Sequence, residues 1–258
     1  MQNWYRSVVA LDRNQHAGLK LASAPDFSFV ATDVSVPLCI EELGLAAPFY
    51  PIVFTEGEQT LPMAITGLRR DQNLFVDKTG AWASGVYVPA STRNYPFVVV
   101  DLGEGREFVG VDAQSNLLGA DKDERLFANG AQTELCKSRV ALCVAYRESM
   151  RKTLEFGAAL REAGLLDVRQ AQVALPGGDE KLRLDGFTAV NLERLDKLSD
   201  ETFLHWRKQG WLTPLYHHLA SVSQWQRLLA LAAAEGRATD ESVVAEPAAA
   251  EAESAMAD

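Results

Sequence analysis

The apolar positions of this chain change period partway along it. Between Tyr50 and Asp112 they come as short runs at 51–54, 62–68, 74–76, 86–89, 96–100 and 108–111, separated by Glu56-Gly57, Asp77-Lys78-Thr79-Gly80 and Gly103-Glu104-Gly105. Short β-branched and aromatic runs bounded by turn residues read as strands, and six at this spacing predict an antiparallel meander or a small curled sheet. Two of the runs, Tyr50-Pro51-Ile52-Val53-Phe54 and Tyr95-Pro96-Phe97-Val98-Val99, open on a proline. Proline supplies no backbone donor and so suits the first position of a strand. The pair hints at a duplicated unit, but the flanking residues do not match.

Further on the period becomes helical. Leu135, Leu142, Tyr146, Met150, Leu154 and Leu160 lie near one stripe, which predicts a long helix capped by Asn129, with Gln132 completing a capping box, and closed by Gly164. A hairpin is expected at 172–175 and 181–184, turning at Pro176-Gly177-Gly178-Asp179. Leu192, Leu195 and Leu198 predict a short helical turn, and 200–209 a helix capped by Ser199 and stopped by Gly210. Thr213-Pro214 then reads as the start of a helix reaching about Ala234 and ending at Gly236.

Residues 1–48 read as an irregular lead-in with a short helix at 38–45, opened by Pro37. The predicted fold class is α+β, an antiparallel β-rich N-terminal part packed with a helical C-terminal part. Its expected divisions are the lead-in 1–48, a β-rich part 49–128, a mainly helical part 129–236 with the hairpin near 172–184, and a disordered acidic tail 237–258. The tail is Ala- and Glu-rich, contains Pro247 and has no apolar period.

Composition adds exclusions. The chain of 258 residues is long enough for a sizeable core, and its 47% hydrophobic and 23% charged residues are ordinary for a globular protein. The net charge of −10 argues against nucleic acid or an anionic membrane surface as partner, since both need a basic footprint. From Glu235 onward there are seven acids and one base, so the body is only mildly acidic. No stretch approaches the ~20 apolar residues of a membrane-spanning helix. The N-terminus lacks the pattern of a secretory signal, and the cysteines Cys39, Cys136 and Cys143 match no disulfide framework. A reducing cytoplasm is the expected location.

Catalytic and cofactor motifs fail in detail, and no cofactor or metal is expected. His217 and His218 are adjacent, so on a helix they point about 100° apart and do not face one ion. Neither has a ligating residue three or four positions away on that helix. Cys136 and Cys143 share a helix face and read as small buried hydrophobes, although Lys137 and Arg139 beside them leave an activated thiolate open. Gly103-Glu104-Gly105 has Phe108 where a dinucleotide fingerprint needs a third glycine, and there is no phosphate loop or serine elbow. Asp121, Asp123 and Glu124 resemble a calcium loop briefly, but Arg125 and Phe127 stand where oxygen ligands belong.

The aromatics carry more information. Trp206, Trp211, Tyr216 and Trp225 fall within twenty residues, with Trp82 and Tyr87 on the sheet side. Such residues suit cores and recognition surfaces alike. The candidate binding set is Trp82, Tyr87, Arg93, Asn94, Trp211, Tyr216, His217 and Trp225, with an unidentified protein or small molecule as partner. Convergence of Trp82, Arg93, His217 and Trp225 on one cavity would favour recognition, and scatter would weigh against it.

The order of segments resembles the SapC family of bacterial proteins. The resemblance rests on His16 with Leu19 and Leu21, Phe27-Ser28-Phe29, Tyr50-Pro51-Ile52-Val53-Phe54, Gly67-Leu68, Asn73-Leu74-Phe75-Val76-Asp77 and Trp82. It continues through Tyr87-Val88-Pro89-Ala90, Arg93-Asn94-Tyr95-Pro96-Phe97, Gly164-Leu165-Leu166, Asp185-Gly186-Phe187, Tyr216-His217-His218-Leu219 and Ser223-Gln224-Trp225. What it implies is a protein encoded beside TonB-dependent receptors, tryptophan-halogenase-like proteins and cupin-like proteins, with no catalytic residues to carry over. A peptide-transport permease shares the name, and the lack of a spanning segment sets this chain apart from it. The expected role is a soluble accessory or binding protein without catalysis. The alternative is an enzyme of unassigned class using His217 or His218 with a carboxylate distant in sequence.

Overall fold

The computed structural model describes the backbone of residues 3–174 and 181–244 and the side chains of 3–170 and 186–235. In chain order the first elements are β1 (Val8–Ala10), β2 (Lys20–Leu21), β3 (Ser35–Pro37), α1 (Leu43–Ala46), β4 (Ile52–Thr55), β5 (Pro62–Ile65) and α2 (Ala90–Asn94). β6 (Phe97–Asp101), β7 (Glu107–Asp112) and four two-residue strands follow: β8 (Leu118–Gly119), β9 (Glu124–Arg125), β10 (Phe127–Ala128) and β11 (Ala131–Gln132). Then come α3 (Glu134–Glu162), β12 (Leu166–Ala174), β13 (Lys181–Val190), α4 (Leu192–Leu195), α5 (Asp200–Gln209), α6 (Leu212–Ser221) and α7 (Gln224–Val244).

The architecture is α+β, with every strand pairing antiparallel. The largest sheet has the order β12-β13-β4-β5-β3, and the smaller ones are β1-β7-β6, β8-β2-β9 and β10-β11. The large sheet joins strands from both ends of the chain. Among the described residues, β13 meets β4 at Phe187 opposite Thr55 and Thr188 opposite Phe54, while its pairing with β12 runs from Leu166 opposite Val190 to Ala174 opposite Lys181.

Two apolar cores lie on this frame. One gathers Tyr50, Phe75, Trp82, Tyr95, Phe97 and Leu126 around the small sheets and the start of α3. The other packs Phe54 with Phe156, Leu160, Leu165, Val190, Trp206 and Leu215 between the large sheet and α3, α5 and α6. Burying side chains of this size stabilises by about 1.5–3 kcal/mol each before ordering costs are counted. A buried carboxylate ties the N-terminus down. Asp112 is fully inaccessible and accepts hydrogen bonds from the backbone N–H of Ser7 (2.9 Å) and Arg6 (3.2 Å) and from the Tyr95 hydroxyl (3.1 Å). Burial works against its charge, but these donors win and hold the carboxyl below its usual range.

Several expectations change. Residues 1–48 contribute β1, β2 and β3 to three different sheets, so the lead-in is not irregular. Residues 74–76 and 86–89 form no strand beyond a single bridge between Val76 and Trp82. The long helix begins at Glu134, capped by Thr133, whose hydroxyl accepts from the Cys136 N–H. Asn129 and Gly130, with φ of 51° and 75°, instead turn the β10–β11 hairpin. Two positive φ values in a row are the mark of a tight hairpin turn, not of a cap. The β12–β13 strands extend well beyond the expected hairpin, and its predicted turn at 176–179 lies outside the described residues. The final helix is two helices, α6 and α7, and α7 continues past Gly236 to Val244, whereas the rest of the expected tail, 245–258, lies outside the described residues.

Candidate functional site

Seven of the eight candidate residues fall in three separate places, and Tyr216 stands apart on the surface of α6. Trp82 is in the first core, where its indole N–H donates to the Tyr50 hydroxyl at 3.1 Å, and the Tyr50 hydroxyl in turn donates to the Tyr87 carbonyl. Tyr87 bridges outward. Its hydroxyl donates to Glu42 Oε1 at 2.7 Å and accepts from Arg93 Nη2 at 3.0 Å, while the Arg93 guanidinium lies 5.5 Å over the Tyr87 ring. Burial, reinforced by the Glu42 carboxylate, holds the Tyr87 hydroxyl well above the usual phenol range.

Glu42 is the hub that local pattern did not reveal. It is 5% exposed and also accepts from the N–H of Ala90 (2.6 Å) and of Cys39 (2.7 Å). A buried carboxylate with three donors is a clamp between the segment before α1 and the segment leading into α2. Asn94 sits buried in α2, and neither atom of its amide meets a hydrogen-bond partner among the described residues. Trp82, Tyr87 and Arg93 are thus joined to this clamp by hydrogen bonds, Trp82 buried, Tyr87 half-buried and Arg93 exposed.

Trp211 and His217 line a cavity of about 650 Å³ between α3, α6 and the start of α1. The His217 ring lies against Gly44, where an added Cβ would come within 2.7 Å of Cε1, so a larger residue would have to push the imidazole aside. Across the opening Lys152 and Glu41 approach to 3.8 Å and Arg151 pairs with Glu155. Tyr216 is half exposed on the outer face of α6.

Trp225 lies in a third place, a groove of about 780 Å³ whose floor is the β12–β13–β4 face and whose walls come from α4, α6 and α7. Its half-buried ring is 6.0 Å from that of Phe187, tilted by 33°. Leu192 and Val222, 57% and 50% exposed, stand on the rim. The polar groups gather at the β12 end. Asp167 accepts from Asn191 Nδ2 at 2.6 Å and pairs with Arg194 Nη1 at 2.8 Å, and Arg169 Nη2 stands 3.8 Å from the same carboxylate. Phe187, Asp167 and Arg169 were not foreseen. The alternation Leu166-Asp167-Val168-Arg169 was the available signal, because alternate residues of a strand share a face.

His218 lies beneath this groove and is 1% exposed. Nδ1 is 2.9 Å from the Ile52 carbonyl, and Nε2 accepts from the Val190 N–H at 3.2 Å. A carbonyl only accepts and an amide N–H only donates, so the ring is the neutral Nδ1–H tautomer. Burial lowers its pKa from 6.5 to about 4. With both nitrogens engaged it joins β4 to β13 and has no face free for proton transfer. The cysteines are buried as well, and burial pushes Cys39 up to about 12 and Cys143 up to about 11, far from a reactive thiolate. Among the described residues no three His, Cys, Asp or Glu side chains come together as a metal site.

The fold and this groove define an α+β protein with an aromatic-lined cleft against a sheet face, and among the described residues no helix is long and apolar enough to cross a membrane. The SapC family profile matches residues 11–228, and the chain belongs to that family. No curated protein and no solved structure matches the chain.

Proposed function

We propose that this SapC-family chain is a non-catalytic binding protein and that the groove beside Trp225 is its binding site. The observation that carries the reading is the Phe187–Trp225 pair, held half-buried over a sheet face with exposed Leu192 and Val222 at the rim. An apolar cleft of about 780 Å³ with a few polar groups at one end has the size and make-up of a small-molecule site. Trp82, Tyr87 and Arg93 lie apart from this groove, Trp82 buried and Arg93 exposed, so the reading rests on Trp225 alone of the expected set. The gene company that the family resemblance implies supports an accessory role beside receptor-linked uptake or modification systems, and the three free, buried cysteines support a reducing cytoplasm.

Titration with the neutral fluorophore N-phenyl-1-naphthylamine tests it. Saturable one-to-one binding is expected, weakened about tenfold or more by Trp225→Ala, since aromatic contacts of this kind dominate binding energy. Trp211→Ala, in the other cavity, should leave it unchanged. Absence of saturable binding, or equal binding by the Trp225 variant, would overturn the proposal.

A second reading, an enzyme, is favoured only by the half-buried His217 facing its cavity beside Glu41 and Lys152. An activity found by screening and abolished by His217→Ala would support it.

A further inference from the structure

Resting on the groove as the binding site, we infer that its ligand is a small aromatic carboxylate, with the acid group on Arg169 and the ring against Phe187 and Trp225. The inference comes from how the charges at the β12 end are spent. Asp167 is already satisfied, with Oδ1 taken by Arg194 at 2.8 Å and Oδ2 by Asn191 at 2.6 Å. Arg169 reaches that carboxylate only at 3.8 Å, beyond hydrogen-bond range, and among the described residues it has no other polar partner. Its side chain is 51% exposed and it lines the groove with Phe187 and Trp225. A guanidinium presents five donors in a planar fork that matches a carboxylate with two parallel bonds. Arg169 favours an acid over a base at this end, because each oxygen of Asp167 already has a closer donor, and the other lining carboxylate, Glu193, belongs to α4 on the groove wall.

The apolar end selects the rest of the molecule. Two aromatic rings inclined at 33° with centroids 6.0 Å apart offer edges and faces to a third ring, and offset or edge-to-face packing is the preferred contact. Leu192 and Val222 then cover the outer side. A small aromatic acid has one charged group and a place for it at Arg169.

Calorimetric titration of the full chain with 2-naphthoate, its neutral isostere 2-naphthamide and the cation 2-naphthylmethylamine tests the inference. The expected result is naphthoate binding about tenfold or more tighter than naphthamide, with the amine weakest. Arg169→Gln should erase the preference for naphthoate while leaving the naphthamide affinity unchanged. Lys208→Gln, on the exposed side of α5, should change nothing. Equal binding of acid and amide, or a preference that survives Arg169→Gln, would overturn it. Binding of N-phenyl-1-naphthylamine without binding of any of the three 2-naphthyl ligands would overturn the aromatic acid and leave the groove standing. Failure of all four ligands would remove the groove itself.

Discussion

The His218 imidazole offers a sharp test of whether this region is scaffold or chemistry. Its pKa is lowered from 6.5 to about 4 chiefly because burial disfavours the cation. In the unfolded chain the ring protonates as pH falls through 6.5, but in the folded protein it resists until about 4. Below the unfolded value the unfolded state thus binds more protons, and stability falls with acidification across the interval between the two values. At about 1.4 kcal/mol per pKa unit, this one ring should cost about 2–3 kcal/mol between about pH 7.5 and about pH 4.5. Urea unfolding of wild type and His218→Leu at both values isolates that share. The variant should be less stable at neutral pH by about 2–4 kcal/mol, because the Val190 N–H and Ile52 carbonyl lose their partner, yet its extra loss toward acid should shrink. Parallel profiles for the two proteins, or a His218 proton resonance titrating near 6.5, would refute the reasoning.

Other outcomes follow from the same geometry. Glu42→Ala strands the buried N–H groups of Cys39 and Ala90 and the Tyr87 hydroxyl, and should lower stability by about 2–4 kcal/mol in denaturant titration. Glu42→Gln keeps the shape and should cost less. Gly157→Ala would place a Cβ 1.9 Å from the Thr60 carbonyl oxygen, so the helix or the loop must shift, at about 3 kcal/mol by thermal unfolding. Thiol titration with a disulfide reagent should find no fast-reacting group in the native protein and three after denaturation, since all three cysteines are buried.

How much was legible in the sequence depends on how local each signal is. Helix α5 was readable in full: the Ser199 hydroxyl accepts from the Thr202 N–H at 3.2 Å, and Gly210 closes it at φ 76°. Asn129-Gly130 was misread because a capping residue and a hairpin turn share the same composition, and the short partner strands gave no alternation to arbitrate. At the break between α6 and α7 a serine ties the helix end to the sheet. The Ser221 hydroxyl donates back to the His218 carbonyl at 2.6 Å and accepts from the Ile52 N–H at 3.0 Å, a tie to β4 that no helical period reveals. Glu42 shows the same limit, since its partners Tyr87 and Ala90 come 45 and 48 residues later. The groove was half legible. Trp225 stood out as an aromatic, but Arg169 and Phe187 reach it only because β12 and β13 join the sheet that holds β3, β4 and β5.

Fluorine NMR of the protein labelled with 5-fluorotryptophan, titrated with N-phenyl-1-naphthylamine, addresses the binding claim at the side chain that carries it. Of five tryptophan resonances, the one lost in Trp225→Phe should move saturably, while those of the buried Trp82 and Trp206 hold still. A Trp225 signal unmoved at saturation, or a response confined to Trp211 in the His217 cavity, would contradict the account.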